Sequence, residues 1–563
     1  MCNLKRLAVV LLLLIIAGCS HFPSAHHPDN AAIATAHPLA TQAGLTILEQ
    51  GGNAFDAAIA VSAALAVVEP AGSGLGGGGF WLLHRASDQH QIMIDGREMA
   101  PGAAHRYMYL DANGQHDKRA SLDGPLSAGI PGLPAALVHL SQHYGQLPLH
   151  QSLAPAIDTA KSGFAISKHY QKLAHFRHNA LLASPAAAQI FLDNERVPDT
   201  GYILKQADLA NTLEHLAQYG RAGFYQGPVA KQLLKGVSNA GGIWTQADLD
   251  RYQVIERDVV SSHYRGYKIS SASLPSSGGI VLSQIINQLT YLPLDNSQPI
   301  QKQHYVIEAM RRAYFDRSRY LGDSDFIAIP SHLTEQGYAQ QLASTIDSGN
   351  ASDNAILTKV KSKGEDTTHF SIVDQYGNRV AATLSINYPF GSGFVAPETG
   401  VLLNDEMDDF SSQPGSANGY GLVGNQANAI APYKRPLSSM SPTFIENDEH
   451  FMVIGTPGGS RIITMVLLGL LDFIDGKNAN AIVSAPRYHH QYLPNAIQLE
   501  PVGFSQEMQQ SLADYGHKIN VLSRQYGNMQ VITFDKKAGY LDAASDPRGE
   551  GSAVISIVAR QAP

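Results

Sequence analysis

The stretch that most limits the folds open to this chain is a pair of alternating, strand-forming runs, residues 367–374 and 378–387, joined by Gln375-Tyr376-Gly377. A three-residue connection with glycine in the left-handed position is a favoured hairpin. If Asp374 closes against Asn378, the register is fixed along the whole ladder. Thr367 then lies opposite Ser385, with Asn387 two residues further along the same face. A two-residue connection would slip the register by one and turn Ser385 away. The hairpin therefore predicts two hydroxyls and an amide in one polar patch at a strand end.

Upstream, HPLATQAGLTILEQGGN (37–53) reads as a helix, with Pro38 in its first turn and Gly51-Gly52 at its end. AFDAAIAVSAALAVVEP (54–70) is apolar on nearly all sides, which predicts a buried helix stopped by Pro70. A glycine run, AGSGLGGGGF (71–80), leads into a strand-like WLLHR. From about 130 to 350 the pattern is mostly helical, as in LPAALVHLSQHYG, QADLANTLEHLAQYG and HYVIEAMRRAYFDRSRYLG. A strand-like YRGYKISSAS (264–273) and the turn LPSSGG interrupt it. Beyond 367 the texture changes to short strands and Gly/Asn turns, with a second buried helix near IITMVLLGLLDFI (462–474). The composition shift over 350–366 is the one credible boundary.

Length and composition describe a globular chain: 563 residues, 44% apolar and 16% charged, enough for two or more domains or one large domain with a split core. The net charge of −8 is spread without a basic stripe, which argues against nucleic acid as a partner. At the N-terminus, Lys5 and Arg6 precede an apolar run, LAVVLLLLIIA (7–17), too short to span a bilayer comfortably. This is the pattern of an export signal. Ending in Ile16-Ala17-Gly18-Cys19, it resembles a bacterial lipoprotein signal, with residues 1–18 removed, Cys19 lipidated and residues 19–30 serving as a tether. An ordinary signal peptide with an incidental cysteine is the alternative. Cys2 and Cys19 are the only cysteines, so a mature chain keeps no thiol for a disulfide, a metal or a nucleophile. The expected location is the periplasm, membrane-anchored through Cys19. Ser20 is compatible with outer-membrane sorting in a Gram-negative host.

Three patterns suggest chemistry that their context does not support. Gly72-Ser73-Gly74-Leu75-Gly76-Gly77 fits G-x-G-x-x-G, but the order around it is helix then strand, the reverse of a dinucleotide site. A loop that lets backbones pass closely is the better reading. The His-His pairs at 26–27 and 489–490 lack a metal-ligand spacing, and neighbours on a strand point to opposite faces. Asp408-Asp409 read as adjacent acids on one strand, of which only one can face a cleft.

Thr367 is different. A threonine hydroxyl is a weak nucleophile unless a base sits beside it. Cutting the 366–367 bond would supply one, because the α-amine of Thr367, with a pKa of about 7.7–8, would sit beside its own hydroxyl.

Several stretches, taken together and in order, resemble the γ-glutamyltransferase (γ-glutamyl transpeptidase) family of N-terminal-nucleophile hydrolases. They are HPLATQAG…LEQGGNAFDAA (37–58), GLGGGGF (74–80), DGREMAP (95–101), PSSGG (275–279) and DTTHFSIVD (366–374). The match continues through NDEMDDFS (404–411), KRPLSSMSPT (434–443), GTPGGSRIIT (455–464), PRYHHQ (486–491) and ASDPRG (544–549). The resemblance implies an α+β fold, a four-layer αββα sandwich made as one precursor. The precursor cleaves itself between Asp366 and Thr367 into a large subunit, 31–366, and a small one, 367–563, that stay associated.

By position, the resemblance makes Thr367 the nucleophile. Arg97 binds the donor's α-carboxylate, a role that suits a planar guanidinium. Asp409 holds the α-ammonium with Glu406 and Asn387, Ser438 and Ser439 hydrogen-bond the carboxylate, and the amides of Gly458 and Gly459 form the oxyanion hole. Tyr420, in the long Gly/Asn-rich segment 411–434, matches a lid tyrosine, and acylase relatives have been described without that lid. Glutathione and other γ-glutamyl compounds are the implied donors, with water, amino acids or dipeptides as acceptors. No metal or organic cofactor is implied. Three positions depart from the family pattern or leave preference open: Ser385, where bacterial relatives often carry Thr, Asp366 before the cut, and Glu406. Two other readings stay open, a glutaryl-type (cephalosporin) acylase and an anchored, unprocessed surface protein.

Overall fold

The computed structural model describes residues 27–111, 113–352, 367–411, 422, 424 and 426–557. The expected signal sequence, Cys19, most of the expected tether, Asp366 before the expected cut, and Tyr420 lie outside the described residues.

Two mixed-origin sheets form the centre. The first has seven strands in the order Ser552–Ser556, Ala31–Thr35, Thr368–Val373, Arg379–Ser385, Gly78–Arg85, His90–Gly96 and Ile255–Arg257. Every pairing in it is antiparallel. The second has six, Tyr540–Ser545, Gln530–Asp535, His450–Gly455, Thr443–Glu446, Tyr267–Ser271 and Val260–Tyr264. Both sheets join strands from before residue 352 to strands from after 367, so neither half of the chain holds a complete sheet.

Helices cover the outer faces. The helix Ala54–Val68 is buried along its whole length beneath the first sheet and opens on a capping box, Asn53 with Asp56. It shares one apolar core with the helices Pro38–Glu49, Leu133–His143, Leu149–Ser162 and Ala207–Tyr219. A second core lies between the sheets and runs out to Gly278–Leu289, Pro299–Tyr320 and Ile462–Ile474. The result is the α+β, αββα sandwich expected.

The local expectations hold where local chemistry decides them. Pro38 opens its helix, and the N–H groups of Gly51 and Gly52 close it onto Leu48 and Ile47 carbonyls, with Gly51 at φ 91°. One strand reading is corrected. Residues 264–273 are not one strand but the turn and return of a hairpin, Val260–Tyr264 with Tyr267–Ser271. Arg265 (φ 46°) and Gly266 (φ 82°) form a two-residue connection with both residues left-handed, a tight turn that an arginine at its first position conceals in the sequence.

Candidate active site

The hairpin sets the site. Asp374 N–H donates to the Asn378 carbonyl, Gly377 takes φ 87°, and the ladder runs from Arg379 opposite Val373 to Leu384 opposite Thr368. One step further brings Thr367 opposite Ser385, the register expected from the three-residue turn. Asp374 itself is buried and accepts the N–H groups of Ala54, Tyr376 and Asn378, so it ties the turn to the start of the buried helix.

Glycines let the neighbouring chain come close beneath this strand end. A Cβ on Gly77 would overlap the Ser385 carbonyl, and one on Gly76 would overlap that of Leu402. Gly72 lies against the Thr367 carbonyl, where a Cβ would sit 3.4 Å away. The run lies between a helix and a strand, as read, and its glycines serve backbone contact.

His369, two residues along from Thr367, is fully buried between the sheets. Its Nδ1 lies 2.9 Å from Thr383 Oγ1, and a Cβ on Gly455 of the second sheet would collide with its ring. Burial holds its pKa down at about 3, so it is a neutral packing group. The 489–490 pair is likewise buried and structural, with His489 between Thr464 Oγ1 and Gln491 Oε1, each at 2.8 Å.

Thr367 is 7% exposed and lines a small cleft with Ser385, Asn387, Arg97, Asp409, Ser438, Ser439, Gly459, Arg317 and Leu422. Asn387 adopts φ 71°, which asparagine tolerates, and this brings its N–H onto Ser385 Oγ at 2.7 Å. Its Nδ2 donates to the Asp405 carbonyl at 3.0 Å.

Arg97 follows the strand His90–Gly96 and is buried among carboxylates. Nη1 lies 2.6 Å from Glu406 Oε2 and 3.6 Å from Glu98 Oε2, and Nη2 donates to Asp409 Oδ2 at 2.6 Å. The Glu406 contact joins two fully buried side chains as an ion pair. The acids converge because residues 406–409 form a 3₁₀ turn, where side chains three apart stand one above the other. That corrects the strand reading of Asp408-Asp409. The two do diverge, Asp408 accepting from Ser121 Oγ at 2.8 Å, but a turn separates them and also adds Glu406 to the Asp409 side. Burial raises the Glu406 carboxyl to about 7; Arg97 draws it down, Asp409 pushes it up and the Ser385 hydroxyl draws it down. Burial, then the charge of Glu406, holds Glu98 well above the usual carboxylate range.

Arg97 Nε also donates to the Pro436 carbonyl at 3.2 Å, and the LPSSGG turn holds the serines that follow Pro436. Ser277 N–H and Oγ both donate to the Ser438 carbonyl, at 2.9 and 2.7 Å, and Ser438 N–H donates to Pro275. Gly458 (φ 140°) and Gly459 (φ 55°) form the turn from the strand His450–Gly455 into the helix Ile462–Ile474. Gly459 borders the cleft. Gly458 does not line it and packs against Met465.

The sequence reading missed Arg317 and Glu98. Arg317 falls on the buried stripe of its helix with Met310, Ala313 and Tyr314, and a charge at an apolar position was the available signal.

A threonine at a strand start in an αββα sandwich, facing a cleft lined with both charges, defines an N-terminal-nucleophile hydrolase architecture. The gamma-glutamyltranspeptidase family model matches residues 40–556. A glutathione hydrolase proenzyme of Pseudomonas sp. (strain A14) is 42% identical over 501 residues, covering 87% of this chain and 86% of that protein. The glutathione hydrolase proenzyme of Escherichia coli (strain K12) is 41% identical over 534 residues, 93% and 91% of the two chains. Among solved structures, a cephalosporin acylase from Bacillus halodurans superposes with a TM-score of 0.83 at 29% identity, over 95% of this chain and 98% of that one. The chain belongs to the gamma-glutamyltranspeptidase family.

Proposed function

We propose that the chain is a self-maturing γ-glutamyltransferase and glutathione hydrolase. The observation that carries this reading is the cleft itself, in which Thr367 is grouped with Arg97, Asp409, Ser438 and Ser439, a pocket suited to the amino-acid end of a γ-glutamyl group. In maturation, Thr367 Oγ1 attacks the Asp366 carbonyl carbon, the acyl group moves from nitrogen to oxygen, and water hydrolyses the ester. The products are an Asp366 carboxylate and a Thr367 α-amine. The interleaving of strands from the two halves supports subunits that stay together after the cut.

In turnover, the α-amine takes the Oγ1 proton as the hydroxyl attacks the γ-carbonyl carbon. The oxyanion is met by the Gly458–Gly459 turn. The same proton passes to the departing amine, which leaves a γ-glutamyl–Thr367 ester. Water then yields glutamate, or an amino acid or dipeptide amine yields a new γ-glutamyl amide. Asp409, Glu406 and Asn387 take the donor's α-ammonium. Arg97, Ser438 and Ser439 take its α-carboxylate, while the donor's ammonium draws Asp409 away from Arg97. Tyr420 is the proposed lid. Outside the cleft, Cys19 is the proposed lipid attachment of an exported, periplasmic protein. No described helix is long and apolar enough to cross a membrane.

The test is release of p-nitroaniline from γ-glutamyl-p-nitroanilide by the purified chain lacking residues 1–19, with and without glycylglycine. Hydrolysis without the dipeptide and transfer with it support the reading, and no release by protein already cut at 367 contradicts it.

A further inference from the structure

The cleft holds two guanidinium groups, and their charges are differently committed. Arg97 is enclosed by Glu406, Asp409 and Glu98. Arg317, 5% exposed, has no carboxylate within ion-pair distance among the described residues; Asp409 acts on it only from beyond that distance, and its hydrogen-bond partners are two hydroxyls. Nε donates to Ser277 Oγ at 2.9 Å and Nη2 to Ser439 Oγ at 3.0 Å. A buried cation satisfied only by neutral acceptors is costly until an anion joins it.

The hydroxyl protons point to where that anion sits. Ser439 Oγ accepts from Arg317, so its own O–H is left to donate. Ser438 Oγ accepts Met440 N–H at 3.1 Å and is left in the same state. Ser277 spends its O–H on the Ser438 carbonyl and accepts from Nε, which fixes the stem side of the guanidinium. Two adjacent serines are thereby set as donors beside an unneutralised positive charge, the arrangement a carboxylate needs.

We propose that Arg317 is a positioning residue for donor recognition, supplying through Ser439 a positive charge held in no ion pair, which selects an α-carboxylate. The proposal rests on the γ-glutamyl reading above. It adds a residue to the carboxylate subsite and makes Arg97 the organiser of the acids as much as a ligand.

The test uses the matured two-chain protein, with active sites counted by the initial burst of p-nitroaniline. Arg317→Gln raises the KM for γ-glutamyl-p-nitroanilide and the Ki for glutamate by about 10- to 100-fold, the worth of a charged hydrogen bond, while kcat stays within about threefold. Arg317→Lys, which keeps the charge, recovers most of the loss. Ser439→Ala gives a similar rise, and the double variant is little worse than either single one, because the two act as a unit. Because KM and Ki are read on the matured fraction, partial misfolding leaves them interpretable. Should Arg317→Gln not mature at all, the Lys variant and Ser439→Ala carry the test, the first near wild type and the second weakened. Overturning results are an unchanged KM, a loss confined to kcat, full additivity, or a Lys variant as weak as Ser439→Ala. A wild type inactive on the anilide would instead defeat the functional reading beneath the proposal.

Discussion

Replacing Asp409 by Asn keeps the shape of the cleft and removes one charge. The substitution leaves the turn supported, because Asn428 Nδ2 holds the Asp409 carbonyl at 2.7 Å independently of the side chain. Arg97 also keeps Glu406 at 2.6 Å. What is lost is the carboxylate proposed to receive the donor's ammonium, now 2.6 Å from Arg97 with its side chain 13% exposed. A hydrogen bond to a charged group contributes about 1.5–3 kcal/mol, so kcat/KM for γ-glutamyl-p-nitroanilide falls about 10- to 100-fold. Glutaryl-p-nitroanilide has no ammonium, so whatever turnover it shows stays within about threefold. The pair of substrates thus separates γ-glutamyl chemistry from glutaryl acylase chemistry, the point at which a close structural likeness to an acylase says nothing about substrate. Equal losses on both anilides, or less than about a threefold loss on the γ-glutamyl one, would refute the assignment of Asp409.

Three further outcomes follow from the structure. Burial lifts the Glu406 carboxyl to about 7, so the acids beside Arg97 gain negative charge as pH rises through that value. The KM for the γ-glutamyl anilide therefore falls about three- to tenfold between pH 6 and 8, and Glu406→Gln flattens that limb while the Thr367 amine still governs kcat. Gly77→Ala places a methyl against the Ser385 carbonyl, which costs about 1–3 kcal/mol in urea unfolding and slows maturation. Gly337→Ala, in a helix with nothing within 4 Å of the added carbon, changes stability by about 1 kcal/mol or less and in the favourable direction.

What the sequence disclosed and what it withheld divide by range. The opposition of Thr367 and Ser385 followed from three turn residues, because a hairpin register is a local property. The buried helix that begins at Ala54 and is stopped before Pro70 was equally local. The 3₁₀ turn at 406–409 was not visible, since three acids and a methionine carry no strand or helix period, and its effect depends on an arginine some three hundred residues away. Nor could the sequence say that Arg97 would be tied up by the very acid assigned to the substrate's ammonium. Arg317 was hidden in an arginine-rich helix, where Arg311 is buried as well and only its place on the stripe of Met310, Ala313 and Tyr314 points to it.

The central claim is that Thr367 becomes an N-terminus. Expressing residues 20–563, holding the purified protein at neutral pH and sequencing the N-termini of its chains tests this directly. The account predicts a second chain that begins Thr-Thr-His-Phe-Ser, and an uncut Thr367→Ala protein. A wild-type chain that stays whole, or a cut elsewhere that Thr367→Ala leaves unaffected, would contradict it.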